Sequence, residues 1–481
     1  MQLSHTFTRE SATFDDPNLI GPSGLVPVMR LAQDAGLDRL AHERLSVPTD
    51  KGANAGLKVN SLIAGMVAGA DSIDDMALLR HGAMGRAFRD CYAPSTLGSF
   101  LRTFTFGHVR QLDAIATRTL TGLAAATPVV AGIDDSAIVD LDDTIIEVHG
   151  HAKQGAGFGY SGVRGLNALL ATVSTPQAAP VIIGQRLRKG AVGSPRGAAS
   201  MVTEALTTVD RLRHQPGQPS QPGHRSGGRR PVLVRADSAF YGSPTINAAI
   251  AAGADVSVTA RMTSPVKAAI AGIEEDAWTP IEYTDAVFDE QTGQWISRAE
   301  VAEVPFTAFA TKPAGQRVPG RLVVRRIPDV NAAAKAAAGQ DTLFDAWRFH
   351  AFFTTTNPED VDTVTADKTH RAHAIIENVH ADLKDSALAH MPSGKFAANA
   401  AWLTLAVIAF NLTRAAGTLT GQSTLAKATT ATLRRTLISV PARIASSARK
   451  LALHLPLDWP WQAAWERLYT AAFSPPATAL S

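Results

Sequence analysis

The stretch from Val232 to Arg261 constrains this chain more than any other. Val232, Leu233 and Val234 form a short apolar strand, Ser243 and Pro244 supply a cap and first helical turn, Gly253 closes that helix, and DVSVTAR reads as another strand. Strand, helix and strand in this order make a βαβ unit and point to an α/β sheet.

The surrounding texture extends that sheet. SAIVDLDDTIIEVHG and LNALLATVSTPQAAPVIIGQRL are rich in β-branched residues and broken by Gly and Pro, so strands begin after Pro128. From about 266 to 356, WTPIEYTDAV, GQWISRAEVAEVPFTAF, RLVVRRI and WRFHAFFTTT predict a mainly antiparallel β insertion. Between these two regions, Ala198 to Leu212 has helical spacing and runs into HQPGQPSQPGHRSGGRR, which reads as a mobile loop.

Residues 1–127 carry helical periodicity. Ile73, Met76, Ala77 and Leu79 make one amphipathic stripe that ends at Arg80. Leu97, Phe100, Leu101 and Phe104 make another, in a helix after Pro94 that Ser95 or Thr96 can cap. Joined by AMGRAFRDCYAPST, the two suit either a helix-turn-helix module that reads DNA or an ordinary helical hairpin. If the first holds, Arg102 and Arg110 are candidate DNA contacts. Two long helices are predicted later, His370 to Lys384 and Phe396 to Arg414. A basic tail from 416 to 481 follows, with Arg434, Arg435, Arg443, Arg449 and Lys450 and a cluster of Trp459, Trp461 and Trp465.

At 481 residues the chain exceeds one ordinary core. With 45% hydrophobic and 19% charged residues, it lies far from the composition of disordered chains. The net charge of +3 permits nucleic-acid binding without demanding it. The single cysteine, Cys91, excludes an internal disulfide framework and a Cys-based zinc site, and fits a reducing cytoplasm. The polar, acidic start lacks the marks of a secretory signal. Ala400 to Phe410 is about half the length that crosses a bilayer and reads as a buried helix, so no membrane role is expected.

Three acidic motifs stand where chemistry could use them. In VDLDDT, strand alternation sends Asp140 and Asp142 to one face and Asp143 to the other. Asp237 ends an apolar strand, where open α/β sheets place ligands, although Asp also favours simple loops. In DKTHRAHAIIENVHADLKD, His370, His373, Glu377, His380 and Lys384 share one helical face opposite Ile375, Ile376, Val379 and Leu383. That face is either solvated or laid over a cleft. Zinc ligation by His370, His373 and Glu377 fits poorly, because no HExxH motif is present and Asp142 and Asp237 would have no part in it.

Taken together, DLDDTIIEVHG, RADSAFYG, HRAHAIIENVHADLK and NAAWLTLAVIAFNLTR resemble the transposases of bacterial insertion sequences that carry an Asp, Asp, Glu triad. They look like the thirteen-eighty-type branch, related to the group whose last motif reads Tyr-x2-Arg-x3-Glu-x6-Lys. Glu377 and Lys384 keep that spacing, while His373 and His370 stand in the Arg and Tyr positions. The resemblance covers roughly residues 20 to 470. Its Asp-x-Thr pattern selects Asp142 as the first acid, with Asp140 and Asp143 still open.

The resemblance implies an RNase H-like catalytic core with a mainly β insertion and helical N-terminal and C-terminal regions. It divides the chain into an end-binding region (1–127), the first part of the core (128–265), the insertion (266–356), core helices carrying Glu377 (357–415) and the basic region (416–481). It implies that Asp142, Asp237 and Glu377 are catalytic and hold two Mg²⁺ ions, with Mn²⁺ as a substitute. Lys384, with His373, His370 and His380 beside it, would face DNA phosphates, Lys153 and Arg164 would flank a glycine-rich DNA loop, and Trp295 would stack on an extruded base or pack in a core. The implied function is a transposase that binds terminal inverted repeats in double-stranded DNA, cuts, and joins 3′ ends to a target as a dimer. A nuclease without strand transfer and an inactive DNA-binding regulator are the alternatives.

Overall fold

A computed structural model describes residues 11–48, 50–89, 91–150, 152–214, 231–289, 294–328, 347–447 and 450–474, without the side chains of 282–298, 328 and 447. The expected mobile loop, HQPGQPSQPGHRSGGRR, lies almost wholly outside these residues.

Five described helices of eight residues or more open the chain: α1 (Leu25–Asp34), α2 (Leu37–Arg44), α3 (Ala55–Ala68), α4 (Pro94–Leu101) and α5 (Phe106–Ala126). The sheet strands follow as β1 (Ala137–Glu147), β2 (Arg164–Ser174) and β3 (Val181–Lys189), then helix α6 (Ala198–Arg213). Next comes the βαβ unit, β4 (Val232–Ala236), α7 (Ser243–Ala251) and β5 (Asp255–Thr259), whose two strands pair in parallel as the sequence predicts.

The segment 266–356 supplies β6 (Thr279–Asp289), β7 (Gln294–Ala308), β8 (Val318–Pro328) and β9 (Trp347–Thr354). These strands are antiparallel, and β9 also pairs with β5, so they continue the same sheet instead of forming a separate one. The ten-stranded sheet runs β3, β2, β1, β4, β5, β9, β8, β7, β6, with the two-residue strand Gly157–Phe158 on the far side of β2. Strands β1 and β2 are antiparallel, while β1 and β4 are parallel.

Helices α8 (Thr363–Arg371), α9 (Ile375–Lys384), α10 (Phe396–Leu419) and α11 (Gln462–Phe473) complete the molecule. Helix α10 is apolar on every side, so it is stable only when surrounded. It is the one described helix long and apolar enough to cross a membrane, and 89% of its most apolar window is buried inside the protein. It packs against α3, α5 and β3. Asn411 on α10 caps the edge strand β3: Ile182 N–H donates to Asn411 Oδ1 at 2.9 Å, and Asn411 Nδ2 donates to the Ile182 carbonyl at 2.8 Å. Asp113 on α5 accepts from Thr404 Oγ1 (3.0 Å) and Gln185 Nε2 (2.9 Å), which ties α5, α10 and β3 together. One apolar core therefore runs from Ile20 to Ala472, shared by the amino-terminal helices and the sheet.

Several local expectations are corrected. The Ile73 stripe is a 3₁₀ turn, Asp74–Leu79, and a short helix, Met84–Ala87, interrupts the connection to α4, so no pair of α-helices makes a helix-turn-helix here. Neither Ser95 nor Thr96 caps α4; Ala93 is the cap residue and Pro94 opens the helix. Leu97, Phe100, Leu101 and Phe104 are all buried, which spends the α4 face on packing. Gly242, not Ser243, is the cap residue of α7. In the tail, Ala442–Ser447 pairs with Lys450–His454 and with Leu19–Ile20, which joins the two ends of the chain in a small sheet.

Candidate active site

The register between β1 and β4 builds the site. Asp140 stands opposite Arg235 and Leu141 opposite Ala236, so one step further brings Asp142 level with Asp237 at the end of β4. Strand alternation keeps Asp140 and Asp142 on one face.

The three acids of VDLDDT meet different surroundings. Asp140 is fully buried. It accepts from Arg235 Nε at 2.7 Å and Nη2 at 2.8 Å, and His373 Nδ1 lies 2.8 Å away. Asp143 is buried on the opposite face. It is paired with Arg188 Nη2 and accepts from Asn167 Nδ2 at 2.6 Å. Arg188 is held in turn by the carbonyls of Ser194 (2.8 Å) and Arg196 (2.7 Å). Asp142 has no such cation. Its Oδ1 accepts the Asp143 N–H at 2.7 Å, and its Oδ2 lies 3.5 Å from His380 Nδ1.

Burial pushes the Asp142 carboxyl up to about 7, and the neighbouring negative charge of Asp237 adds to this, against the backbone hydrogen bond from Asp143. Asp237 is likewise raised, by burial first, although its Oδ1 accepts the Ala239 N–H at 3.0 Å. His380 is held down to about 3 by burial and by the nearby Lys384 and His373, so its ring is neutral and the 3.5 Å approach to Asp142 is not an ion pair. Its Nε2 is buried without a hydrogen-bond partner among the described residues.

The long helix expected from His370 to Lys384 is broken. α8 ends at Arg371, Ala372–Ala374 is a 3₁₀ turn, and α9 begins at Ile375. The break separates His370 from the others. It stacks on Phe352 with ring centroids 4.1 Å apart, and its nitrogens bond Ser257 Oγ (2.9 Å) and Thr259 Oγ1 (3.0 Å). With both ring nitrogens occupied, His370 fastens α8 to the sheet and has no nitrogen left for a phosphate. Nor is the face wholly solvated, because His380 is buried over β1. Glu377 is exposed in the first turn of α9, one turn before His380. Among the described residues no three His, Cys, Asp or Glu side chains are grouped to hold a metal ion; Asp142 and Asp237 are the two acids that lie close enough to feel each other's charge.

Lys384 is exposed, and its ammonium has no partner among the described residues. Partial burial draws its pKa below the ordinary lysine value, opposed by Asp142. It lines an open cavity of about 570 Å³ that continues along β1 from Thr144 to Val148 and includes Lys153, Tyr160 and His390. The negative charges of Asp143, Asp142 and Asp237 reach the Tyr160 hydroxyl; burial first, and then these charges, raise its pKa.

The remaining sequence candidates are scattered. Lys153 Nζ bonds the Met391 carbonyl and so ties the glycine-rich loop to the segment after α9, and Arg164 Nη1 donates to the carbonyls of Gly150 (2.8 Å) and Val148 (3.3 Å), which closes the connection between β1 and β2. Arg110 is engaged by Asp113 (3.1 Å) and by Glu204 of α6 (3.3 Å). Arg102 is exposed, and among the described residues its guanidinium bonds only its neighbour Ser99, at 3.2 Å. Trp295 belongs to β7, and its side chain lies outside the described residues. Sequence reasoning missed Arg235 as the partner of Asp140, although the matched alternations Asp140-x-Asp142 and Arg235-x-Asp237 carry the signal. It also missed Arg188 as the partner of Asp143, for which no local pattern gives notice.

Two adjacent carboxylates with no arginine of their own among the described residues, at the carboxyl end of a parallel strand pair and with only the more distant charges of His373 and Lys384 to offset them, offer hard oxygen donors of the kind divalent cations take. The chain belongs to the family described as Transposase DDE domain group 1, whose model matches residues 10–472. Membership makes it a transposition enzyme by descent, of a class that acts on DNA and generally uses divalent metals. No curated protein matches the chain.

Proposed function

We propose that this protein is an RNase H-like DNA transposase of the thirteen-eighty type, which cuts at the terminal inverted repeats of its element and joins the freed 3′ ends to target DNA. The observation that carries the reading is the unneutralised Asp142–Asp237 pair in a chain of this family. The strand order adds to it: numbered along the chain, β3, β2, β1, β4, β5 is a 3-2-1-4-5 sheet with β1, β4 and β5 parallel.

The donor set fits Mg²⁺, with Mn²⁺ as a substitute: Asp142, Asp237 and Glu377 would hold the two ions. When bound, such a pair of ions supplies an activated water and neutralises the leaving 3′ oxygen. The chain's own residues do the rest. His380 covers Asp142 and excludes water from one side of it, while His373 is fixed on the Asp140–Arg235 pair and keeps the start of α9 in place. Lys384 sets a point charge for a phosphate at the mouth of the cavity, without the planar grip an arginine would give. The active complex is a dimer, because two ends must meet before joining.

A supercoiled plasmid carrying both element ends, incubated with protein and Mg²⁺, tests the reading. Joined products support it. Cuts without joining point to a nuclease, and binding without cuts to an inactive regulator. Sedimentation of the complex on paired ends contradicts the dimer if every active species holds one subunit.

A further inference from the structure

At the other end of the sheet three arginines from three helices converge. Gly36, at φ +82°, turns the chain from α1 into α2, and Gly122 on α5 lies so close to this turn that a Cβ there would sit 2.4 Å from the Ala35 carbonyl oxygen. This approach brings Arg44, at the end of α2, beside Arg118 on α5. The last turn of α6 supplies Arg211, and Arg213 fixes that turn by donating to the carbonyls of Ile133 (2.8 Å) and Pro231 (3.2 Å). The three line a solvent-open cavity of about 790 Å³.

The charges in this cavity are not balanced. Arg39 on its wall is already paired with Glu43 and Asp34 with Arg30, at 3.2 and 3.1 Å. Arg118 gives one N–H to the Ala114 carbonyl at 3.0 Å, while Arg44 and Arg211 have no hydrogen-bond or ion-pair partner among the described residues. Burial, followed by the like charges of Arg44 and Arg211, draws the Arg118 guanidinium below its ordinary value, and no carboxylate offsets them. Asp210 and His214 sit on the wall as the other titratable groups. Three guanidinium groups set against the one remaining carboxylate on the wall, Asp210, leave the cavity with an excess of positive charge that makes it a receptor for an anion, and their planar forks match phosphate oxygens.

We propose that the pocket of Arg44, Arg118 and Arg211 binds the phosphodiester backbone of DNA at a point separate from the cleavage centre. The carbonyls that anchor α6 precede β1 and β4, whereas Asp142 and Asp237 lie towards the opposite ends of these strands. Strand β4 alone spans roughly 17 Å at about 3.3 Å per residue, so one phosphate cannot serve both places. The pocket therefore holds a second stretch of duplex, either more of the element end or the target. The inference rests on the transposase reading for its choice of DNA over other polyanions.

The test compares the wild type with Arg44→Glu/Arg211→Glu and with Arg118→Gln, using a fluorescent duplex and anisotropy from about 50 to 300 mM KCl. The expected result is a fall in the slope of log affinity against log salt by about 0.9 for each phosphate no longer held. Affinity near 100 mM salt should drop at least tenfold, with melting temperatures unchanged or raised. An unchanged slope in variants that melt normally overturns the proposal. So does a slope that stays put while inorganic phosphate stabilises only the wild type, which would make this a free-anion site. The transposase reading is checked separately by Asp142→Ala: if that variant still cuts, that reading fails whatever the salt slopes show, whereas the arginine variants should still cut at saturating DNA.

Discussion

Two sets of carboxylates lie on β1 and at the end of its neighbour β4, and they differ in what faces them. Asp140 and Asp143 are buried and each has its own arginine, Arg235 and Arg188. Asp142 and Asp237 are also largely removed from water, yet they face each other and a neutral histidine. A buried carboxylate that belongs to the scaffold carries its counterion with it. A pair that lacks one fits the proposed role of taking a cation from outside.

The sharpest way to break this comparison is to remove each acid in turn and score cleavage against folding. Asp142→Ala and Asp237→Ala should lower cleavage more than about 10³-fold, beyond the 10–100-fold typical of a partner that only orients a metal ligand. Their melting temperatures should hold or rise, since each relieves repulsion. Glu377→Ala should match them in cleavage, and normal cutting would remove it from the site. Asp143→Ala should behave in the opposite way, losing about 3–5 kcal/mol of stability because Arg188 is left buried and unpaired. Asp143 is thus a poor register control as alanine, and Asp143→Asn, which keeps an acceptor for Arg188, is the better one. Chemical denaturation of both variants checks this.

Acid titration sharpens the same contrast. In the metal-free protein Asp142 binds its proton more tightly folded, at about 7, than unfolded, near 3.9. The folded state therefore holds the extra proton between these values. Stability from this group is largest at the acid end and falls as pH rises from about 4 to 7. Asp142→Asn should flatten that part of the melting profile, and added Mg²⁺ should restore stability above pH 7 in the wild type only. A profile that is identical in the variant would show that Asp142 is not strained.

The pattern of acids was readable in the sequence because a strand has a period of two, so Asp140 and Asp142 share a face, and because Asp237 ends an apolar strand; that β1 lies parallel beside that strand is set by the sheet and by no local motif. What the sequence hid was the neutralisation. Arg188 reaches Asp143 directly from two strands away, with Asn167 bonded to both, a pairing set by the β2–β3 register and announced by no local motif. The helix over the site was misjudged for a similar reason. Helical spacing continues through Ala372–Ala374, but His370 is pinned by Ser257 and Thr259 on β5, and the chain changes pitch between there and Ile375. The amino-terminal helices read as a separate module because local periodicity carries no information about α10, which shares their core.

The smallest effect expected lies in that region. Arg102→Ala removes an exposed charge that holds only Ser99, so it should weaken DNA binding a few-fold and lower the salt slope by about 0.9, with no change in melting. Arg110→Ala, by contrast, breaks contacts to Asp113 and Glu204 and should cost some stability, about 1 kcal/mol or less for exposed pairs, before it affects DNA.

Binding of Mn²⁺, followed by the loss of its free-ion paramagnetic resonance signal as protein is added, tests the central claim most directly. The wild type and Asp143→Asn should take up the ion, and Asp142→Asn and Asp237→Asn should not. Equal uptake by all four proteins would contradict the account, because the unpaired carboxylates would then not be where the metal sits.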